Sequence, residues 1–117
     1  MDIFNFFSKH KIIDLDEEVL VQLKKAGSNL SKPHHVEFFL YFNDEVAANN
    51  VKNIILKQHP DDHIDVEKSP DDKRFCCQIQ RSMVPTLEKI QDERIRFEDL
   101  SAQFGGIYDS WGAGVEK

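Results

Sequence analysis

Apolar residues recur at two different spacings along this chain, and the change between them marks the predicted elements. Every second residue of the segment 35–42 is apolar, which predicts a half-buried strand. Its apolar set is Val36, Phe38, Leu40 and Phe42. After Asn43 the spacing becomes helical, and the acids that follow favour a helix capped by Asn43. The run 59–62, which contains a proline, ends this helix.

Two short strands are predicted next, at residues 64–68 and 74–83. The Ser-Pro-Asp-Asp run between them has the composition of a turn. On the first strand, Ile64 and Val66 are expected to face inward. On the second, the inward set is Phe75, Cys77 and Ile79. Polar positions alternate with these residues, so each strand has one buried side and one open side.

The last helix is predicted to begin at Pro85, because proline suits the first helical position. Its buried stripe consists of Leu87, Ile90, Phe97, Leu100 and Phe104. Arg94 interrupts this stripe, although its stem is long enough to cover apolar surface. Gly105 and Gly106 can end the helix and turn the chain into a final strand at residues 107–113.

The beginning of the chain predicts one further helix, at residues 16–26, capped by Asp14 or Asp16 and ended by Gly27. Its apolar side consists of Val19, Leu20 and Leu23. Residues 1–15 form a Phe-rich lead-in, which we expect to dock on its own domain; a membrane surface or a partner is the alternative. Residues 16–117 are predicted to be a single domain.

The order of elements predicts an α+β fold. A first helix precedes two consecutive strand-helix-strand units, and two such split units form a ferredoxin-like β-α-β-β-α-β sandwich. Because crossovers are right-handed, few other connections are available to these elements. We therefore expect the two later helices on one sheet face, with the first strand in the centre of the sheet.

Charge narrows the classes of function. The 117 residues carry a net charge of −6, which disfavours a nucleic-acid-binding module that neutralises phosphates. The same charge suits a basic protein partner. The chain has no apolar run long enough to span a membrane, and its N-terminus does not have the pattern of a signal peptide. These features predict a cytoplasmic protein with reduced thiols.

The chain contains cysteine, histidine and aspartate side chains that could take part in catalysis or metal binding, but their arrangement does not indicate either function. Cys76 and Cys77 are neighbours on a strand, so one thiol should face the core and the other the surface. His59 and His63 flank a proline that breaks the helix needed to align them on a metal. Asp109 is a candidate acid or base, but it is equally suited to bonding a turn or an indole N–H. We predict no enzyme activity, no cofactor and no metal.

The open side of the sheet is the candidate binding surface. It should carry aromatic rings and carboxylates, a combination that binds guanidinium groups by stacking and by ion pairing. The last strand should add either Tyr108 and Ser110 or Asp109 and Trp111. The candidate partner-binding residues are Glu37, Phe39, Tyr41, Asp65, Glu67, Tyr108, Asp109 and Trp111. Their carboxylates would repel RNA, and the remaining alternative is that the lead-in or a second copy of the chain covers this side.

Several runs resemble the family of regulators of ribonuclease E activity B (RraB). The most specific is Tyr-Asp-x-Trp-Gly at residues 108–112, which follows a helix and a double glycine. Pattern-level similarities are the helix end 23–28, the paired His34-His35, the cap Asn43-Asp44 and the adjacent Cys76-Cys77. The resemblance covers roughly residues 17–112 and implies the same ferredoxin-like sandwich.

The resemblance implies a function that composition alone does not. Members of the regulator subgroup bind the basic non-catalytic region of an endoribonuclease of mRNA decay and reduce its activity. The expected partner is therefore a basic segment of ribonuclease E or of another RNA-processing protein. The alternative is a ferredoxin-like dimer that binds or converts a small molecule, which a closed apolar pocket beside Trp111 would support.

Overall fold

The structure is a computed structural model that describes residues 15–117. The predicted Phe-rich lead-in and the proposed cap at Asp14 therefore lie outside the described residues, except for Leu15. Three helices and four strands make up the described part. They are α1 at residues 15–25, β1 His34–Phe42, α2 Glu45–Gln58, β2 His63–Lys68, β3 Phe75–Met83, α3 Leu87–Gln103 and β4 Ile107–Ala113.

The four strands form one antiparallel sheet in the order β2-β3-β1-β4. The strand β1 therefore lies between β3 and β4, as predicted. The α+β prediction is confirmed, since this order and the helices between the strands agree with a ferredoxin-like sandwich. All three helices contribute to a core on one side of the sheet.

The core is built on the alternation of β1. Its inward set is almost fully buried: Val36, Phe38, Leu40 and Phe42. From the helices, Leu20 and Leu23 of α1 and Val51 and Ile55 of α2 pack into the same cluster. On α3, Phe97 packs its ring 4.9 Å from the ring of Phe38. Burial of this much apolar surface on one side of the sheet is the main force that holds the sandwich together.

Two predicted helix starts are displaced by one or two residues. The N-cap of α2 is Asp44 and not Asn43, because the Asp44 carboxylate accepts a hydrogen bond of 2.7 Å from the backbone N–H of Ala47. The N-cap of α3 is Thr86, whose hydroxyl accepts from the N–H of Lys89. Pro85 therefore precedes the helix. In both cases a side-chain oxygen satisfies a backbone donor that the first turn leaves free.

The predicted alternation of β4 is wrong, because the pairing of β1 with β4 contains a bulge. Phe39 pairs with Ser110 and Leu40 pairs with Tyr108, so Asp109 has no partner residue of its own. One extra residue on a strand shifts the side-chain alternation beyond it. Tyr108 consequently lies on the helix side together with Trp111, which pairs with Phe38.

The double glycine before β4 combines two different requirements. Gly105 has a φ of +72°, a left-handed conformation that side chains disfavour. Gly106 has no room for a side chain, because a Cβ atom there would collide with the ring of Phe42 and the carbonyl oxygen of Tyr41. This close approach lets β4 start directly beside the end of β1.

Candidate functional site

The surface of the sheet that faces away from the helices, called here the open face, receives side chains from all four strands. The pairings place its residues in cross-strand rows. The central row is Asp65, Gln78, Phe39 and Ser110, and its neighbours are the rows His63, Gln80, Glu37, Gly112 and Glu67, Cys76, Tyr41, Ile107. None of the helices α1, α2 and α3 packs on this face, since all of them contribute to the core on the other side.

Aromatic rings form the centre of the open face. Phe39 and Tyr41 are neighbours on β1, and both are partly exposed. The guanidinium carbon of Arg74 lies 4.5 Å from the ring centroid of Tyr41. Arg74 is held there by Asp72, whose Oδ2 accepts from its Nε over 2.9 Å. The open face thus already holds one guanidinium group stacked on an aromatic ring.

Carboxylates surround these rings. Glu37, Asp65 and Glu67 lie in the rows just described, and the strand positions of this face include no lysine or arginine. Two of the acids have a histidine nearby: His35 Nε2 lies 3.8 Å from Glu37 Oε1, and His63 Nε2 lies 3.1 Å from Asp65 Oδ2. Because both pairs are solvent-exposed, water screens them and each contributes little to stability.

Asp109 joins this acidic set through the bulge. It is exposed, and its Oδ2 accepts a hydrogen bond from the hydroxyl of Ser110 over 3.0 Å. The pKa of Tyr41 is raised by burial, by Cys76 and by the negative charge of Asp109. The pKa of Cys76 is raised by burial and by the charges of Asp109 and Glu67. The charge of Asp109 therefore acts on two residues of the open face, Tyr41 and Cys76.

The structure therefore brings together six of the eight candidate partner-binding residues. They are Glu37, Phe39, Tyr41, Asp65, Glu67 and Asp109. Tyr108 and Trp111 do not share their surface, because the bulge turns both toward the helices. Whether any of these residues contacts a partner remains a prediction.

Trp111 is fixed by a residue that the sequence suggested only as a helix cap. Its indole Nε1–H donates a hydrogen bond of 3.1 Å to Oδ1 of Asp16, and Asp16 lies inside α1. The second carboxylate oxygen, Oδ2, accepts from Nε of Arg94 over 3.0 Å. The arginine that interrupts the apolar stripe of α3 is thus the partner of a carboxylate that is only 5% exposed.

A cavity of about 300 Å³ lies beside these residues, between α1, α3 and β4. We call it the Trp111 pocket. Apolar walls come from Leu15 and Val19 of α1 and from the two aromatic rings of β4. Polar groups converge on it from Asp16, Arg94 and Glu98. An apolar cavity with a few convergent polar groups is the usual form of a ligand site.

A second buried arginine was not predicted from the sequence. Arg81 of β3 projects to the helix side, where its guanidinium bonds Asp62 at 2.8 Å and Glu93 at 3.0 Å. Burial alone would lower the pKa of Arg81, but the hydrogen bonds to both acids outweigh this and raise it. The only signal in the sequence is its inward position on β3. Its contacts join β3, α3 and the loop before β2, which indicates a structural role.

The other side chains that could act in catalysis or metal binding do not lie together in the fold. Cys77 is fully buried and Cys76 lies on the open face, as predicted, and both thiols are free. Within residues 15–117 no three histidine, cysteine or acidic side chains are grouped closely enough to hold a metal ion. The helices of this same part of the chain are too short or too polar to cross a membrane.

Fold and site together define an α+β sandwich with one sheet face of aromatic rings and carboxylates that no helix of residues 15–117 covers. The family model described as regulator of ribonuclease activity B matches residues 13–113, so this chain belongs to the RraB family. The resemblance seen in the residues is therefore confirmed over nearly the whole chain. No curated protein gives a significant match to the chain. The family description supports a regulatory role in ribonuclease activity.

Proposed function

We propose that this protein regulates a ribonuclease by binding a basic segment of the enzyme on its open face. The expected target is the non-catalytic region of ribonuclease E or of another RNA-processing protein. The observation that carries the proposal is the stack of Arg74 on Tyr41 at 4.5 Å, within an acidic surface. It supports the proposal because a guanidinium group of the chain itself already lies over an aromatic ring of this face.

Charge supports a basic partner over RNA. Sheets of this architecture that bind RNA place bases on aromatic residues of central strands, and Phe39 and Tyr41 lie in such positions. Here, however, Asp65 lies in the same row as Phe39, and Glu37 lies in the next row. Their negative charge repels phosphates and attracts lysine and arginine. We therefore propose that the protein binds the enzyme and not its RNA substrate.

In this proposal the ribonuclease is inhibited because its basic segment is occupied by the regulator. A basic segment that lies on the open face is no longer free to bind RNA or other proteins. The regulator contributes no chemical step, and its effect depends on the affinity of the open face for that segment. Opposite charges at the surface also increase the rate of encounter, and salt weakens that attraction.

The first test combines binding with activity. Tagged protein and purified full-length ribonuclease E are mixed at about 50 mM and 500 mM salt, and complex formation and RNA cleavage are measured at both. We expect a complex at low salt, slower cleavage in its presence, and loss of both effects at high salt. An unchanged cleavage rate with no complex at low salt would overturn the proposal.

The second test asks whether the partner binds on the open face. The double variant Glu37→Lys and Glu67→Lys reverses two charges there, and should weaken binding at least about tenfold and flatten its salt dependence. The matched control is Asp92→Lys with Asp99→Lys, which makes the same change in net charge at two exposed positions of α3. Equal effects of the two double variants would mean that only net charge matters and that the open face is not the site.

The cavity beside Trp111 favours a second candidate function, the binding of a small molecule. Its volume lies at the lower end of the roughly 300–1,000 Å³ that is usual for ligand sites. A cavity of this size suits one side chain or a fragment-sized molecule. Thermal-shift screening of small cationic and aromatic compounds tests this function, and stabilisation that is lost in Tyr108→Phe would support it.

A further inference from the structure

The Trp111 pocket contains a buried polar group without a partner. The hydroxyl of Tyr108 is inaccessible to solvent and makes no hydrogen bond in the described structure. Burial and the negative charge of Asp16 raise its pKa, so the hydroxyl stays protonated and neutral. Buried polar groups are usually hydrogen-bonded, and leaving one unpaired costs about 1–3 kcal/mol. Because Tyr108 lines the pocket, a hydroxyl with unused hydrogen-bonding capacity lies in or just behind its wall.

The charges of the pocket select a cation. Its lining includes three carboxylates, Asp16, Glu98 and Asp109, against the single guanidinium of Arg94. Asp16 is already engaged by Trp111 and Arg94. Glu98 accepts one hydrogen bond from Arg94 and Asp109 one from Ser110, but both acids are exposed at the rim and have oxygen atoms that can accept further hydrogen bonds. An anionic group would be repelled there. A purely apolar group would leave the Tyr108 hydroxyl without a partner and would not use the excess negative charge at the rim.

The pocket is continuous with the open face. Asp109 and Ser110 line the pocket. Ser110 also pairs with Phe39 of the open face, and the charge of Asp109 acts on Tyr41 of the same face. Among the strands of residues 15–117, β4 lies at the edge of the sheet, so none of them separates the two surfaces. A single extended segment that crosses β4 can therefore contact both surfaces.

From this geometry we propose that the Trp111 pocket is a second binding site for the same basic segment and takes one arginine side chain. This inference rests on the proposed function. The arginine stem lies against the apolar and aromatic walls, and the guanidinium donates to Glu98 at the rim. It reaches the hydroxyl oxygen of Tyr108, which is closed to solvent in this structure, when the side chains around that oxygen move aside. Arginine suits the site better than lysine, because its flat group stacks on rings and donates in several directions.

The chain includes its own reporter for this site. Trp111 is the only tryptophan, and it lies on the side of the sheet opposite the open face. Binding confined to the open face should leave its fluorescence nearly unchanged. Entry of a guanidinium group into the pocket should shift or quench the emission. Calorimetry on the same samples measures total binding and is independent of the reporter.

The probe is a hexa-arginine peptide, titrated into the protein at low salt, with hexa-lysine as the comparison. We expect hexa-arginine to bind and to change the Trp111 emission, and hexa-lysine to change it much less. The variants Glu98→Gln and Tyr108→Phe should weaken hexa-arginine binding about threefold to tenfold and reduce the emission change. The control Glu88→Gln changes an exposed acid on the same helix, outside the pocket, and should have no effect.

Failure of this inference is distinguishable from failure of the proposed function. If hexa-arginine binds, depends on Glu37 and Glu67, and leaves Trp111 emission unchanged, the pocket assignment is overturned and the open face stands. If the emission change survives charge reversal of the open face while ribonuclease E forms no complex, the pocket assignment stands and the proposed function is overturned. If neither calorimetry nor emission detects hexa-arginine, the pocket is not an arginine site.

Discussion

Trp111 and Asp16 are joined by a hydrogen bond of 3.1 Å between the indole N–H and a carboxylate oxygen, although 95 positions separate them in the chain. The bond connects the last strand to the first helix. Asp16 also accepts from Arg94, so one buried carboxylate connects α1, α3 and β4. This arrangement forms one wall of the Trp111 pocket and fixes the position of α1 beside α3.

Removing the charge of Asp16 should destabilise the protein. In Asp16→Asn the buried guanidinium of Arg94 loses its main counter-charge, and we expect the free energy of unfolding in urea to fall by about 2–4 kcal/mol. The control is Glu18→Gln, the same chemical change at an exposed position of α1, for which we expect a change within about 0.5 kcal/mol. Similar effects of the two variants would contradict the role assigned to Asp16.

Removing Arg74 should strengthen binding of a basic segment. Its guanidinium occupies the ring of Tyr41, where a partner arginine is proposed to stack. In Arg74→Ala that ring becomes free, and we expect hexa-arginine to bind about two to five times more tightly, the range of an exposed cation–π contact. The control Lys73→Ala removes one positive charge at the neighbouring residue. It therefore separates the effect of freeing the Tyr41 ring from the effect of the change in net charge. Weaker binding in Arg74→Ala would instead place Arg74 in contact with the partner.

A methyl group at Gly106 should be poorly tolerated. Its Cβ would meet the ring of Phe42 and the carbonyl oxygen of Tyr41, so Gly106→Ala must displace β4 or the end of β1. We expect a loss of about 1–3 kcal/mol in unfolding free energy, as for other overpacked sites. Gly112→Ala is the matched control, because nothing lies within 4 Å of the added carbon. A loss in Gly106→Ala no larger than in the control would contradict the close approach described here.

Alkaline pH should destabilise the fold through Cys77. Burial raises the pKa of its thiol to about 12, above the ordinary value, so the folded protein retains a proton that the unfolded chain releases. Stability from this group is complete below the ordinary thiol pKa and decreases as pH rises toward about 12. Between pH 8 and pH 10.5 we expect the decrease in unfolding free energy to be about 2 kcal/mol smaller in Cys77→Ala than in the unsubstituted protein. Parallel pH curves for the two proteins would contradict this.

The strands were predictable because alternation is a local signal. β1 was placed within one residue, and β4 was predicted at its observed bounds, 107–113. The antiparallel order of the strands followed from chirality and connection rules, which hold independently of the particular side chains. The helix starts were less accurate, since Asn43 and Asp44 are both good caps and only the observed bond to Ala47 distinguishes them.

The candidate site was predicted where it depends on alternation alone. Glu37, Phe39 and Tyr41 lie on the open face because every second residue of β1 does. For β4 the sequence leaves two alternations open, and neither matches the observed one, in which Tyr108 and Trp111 both lie on the helix side. A bulge depends on the pairing of two strands and leaves no clear mark in the sequence of one of them. The contact of Asp16 with Arg94 spans 78 positions, and local patterns do not contain information at that range.

The bulge at Asp109 has a consequence for how this surface can change. Because of that one unpaired residue, the run 108–111 supplies two side chains to each surface of the sheet. Deleting Asp109 would join Tyr108 directly to Ser110 and give strict alternation along β4, with the other residues on the sides that they now occupy. The number of residues between α3 and Trp111, and not only their identity, therefore determines which side chains border both the open face and the Trp111 pocket. Substitutions can alter the affinity of each surface separately, whereas insertions and deletions here would alter both at once.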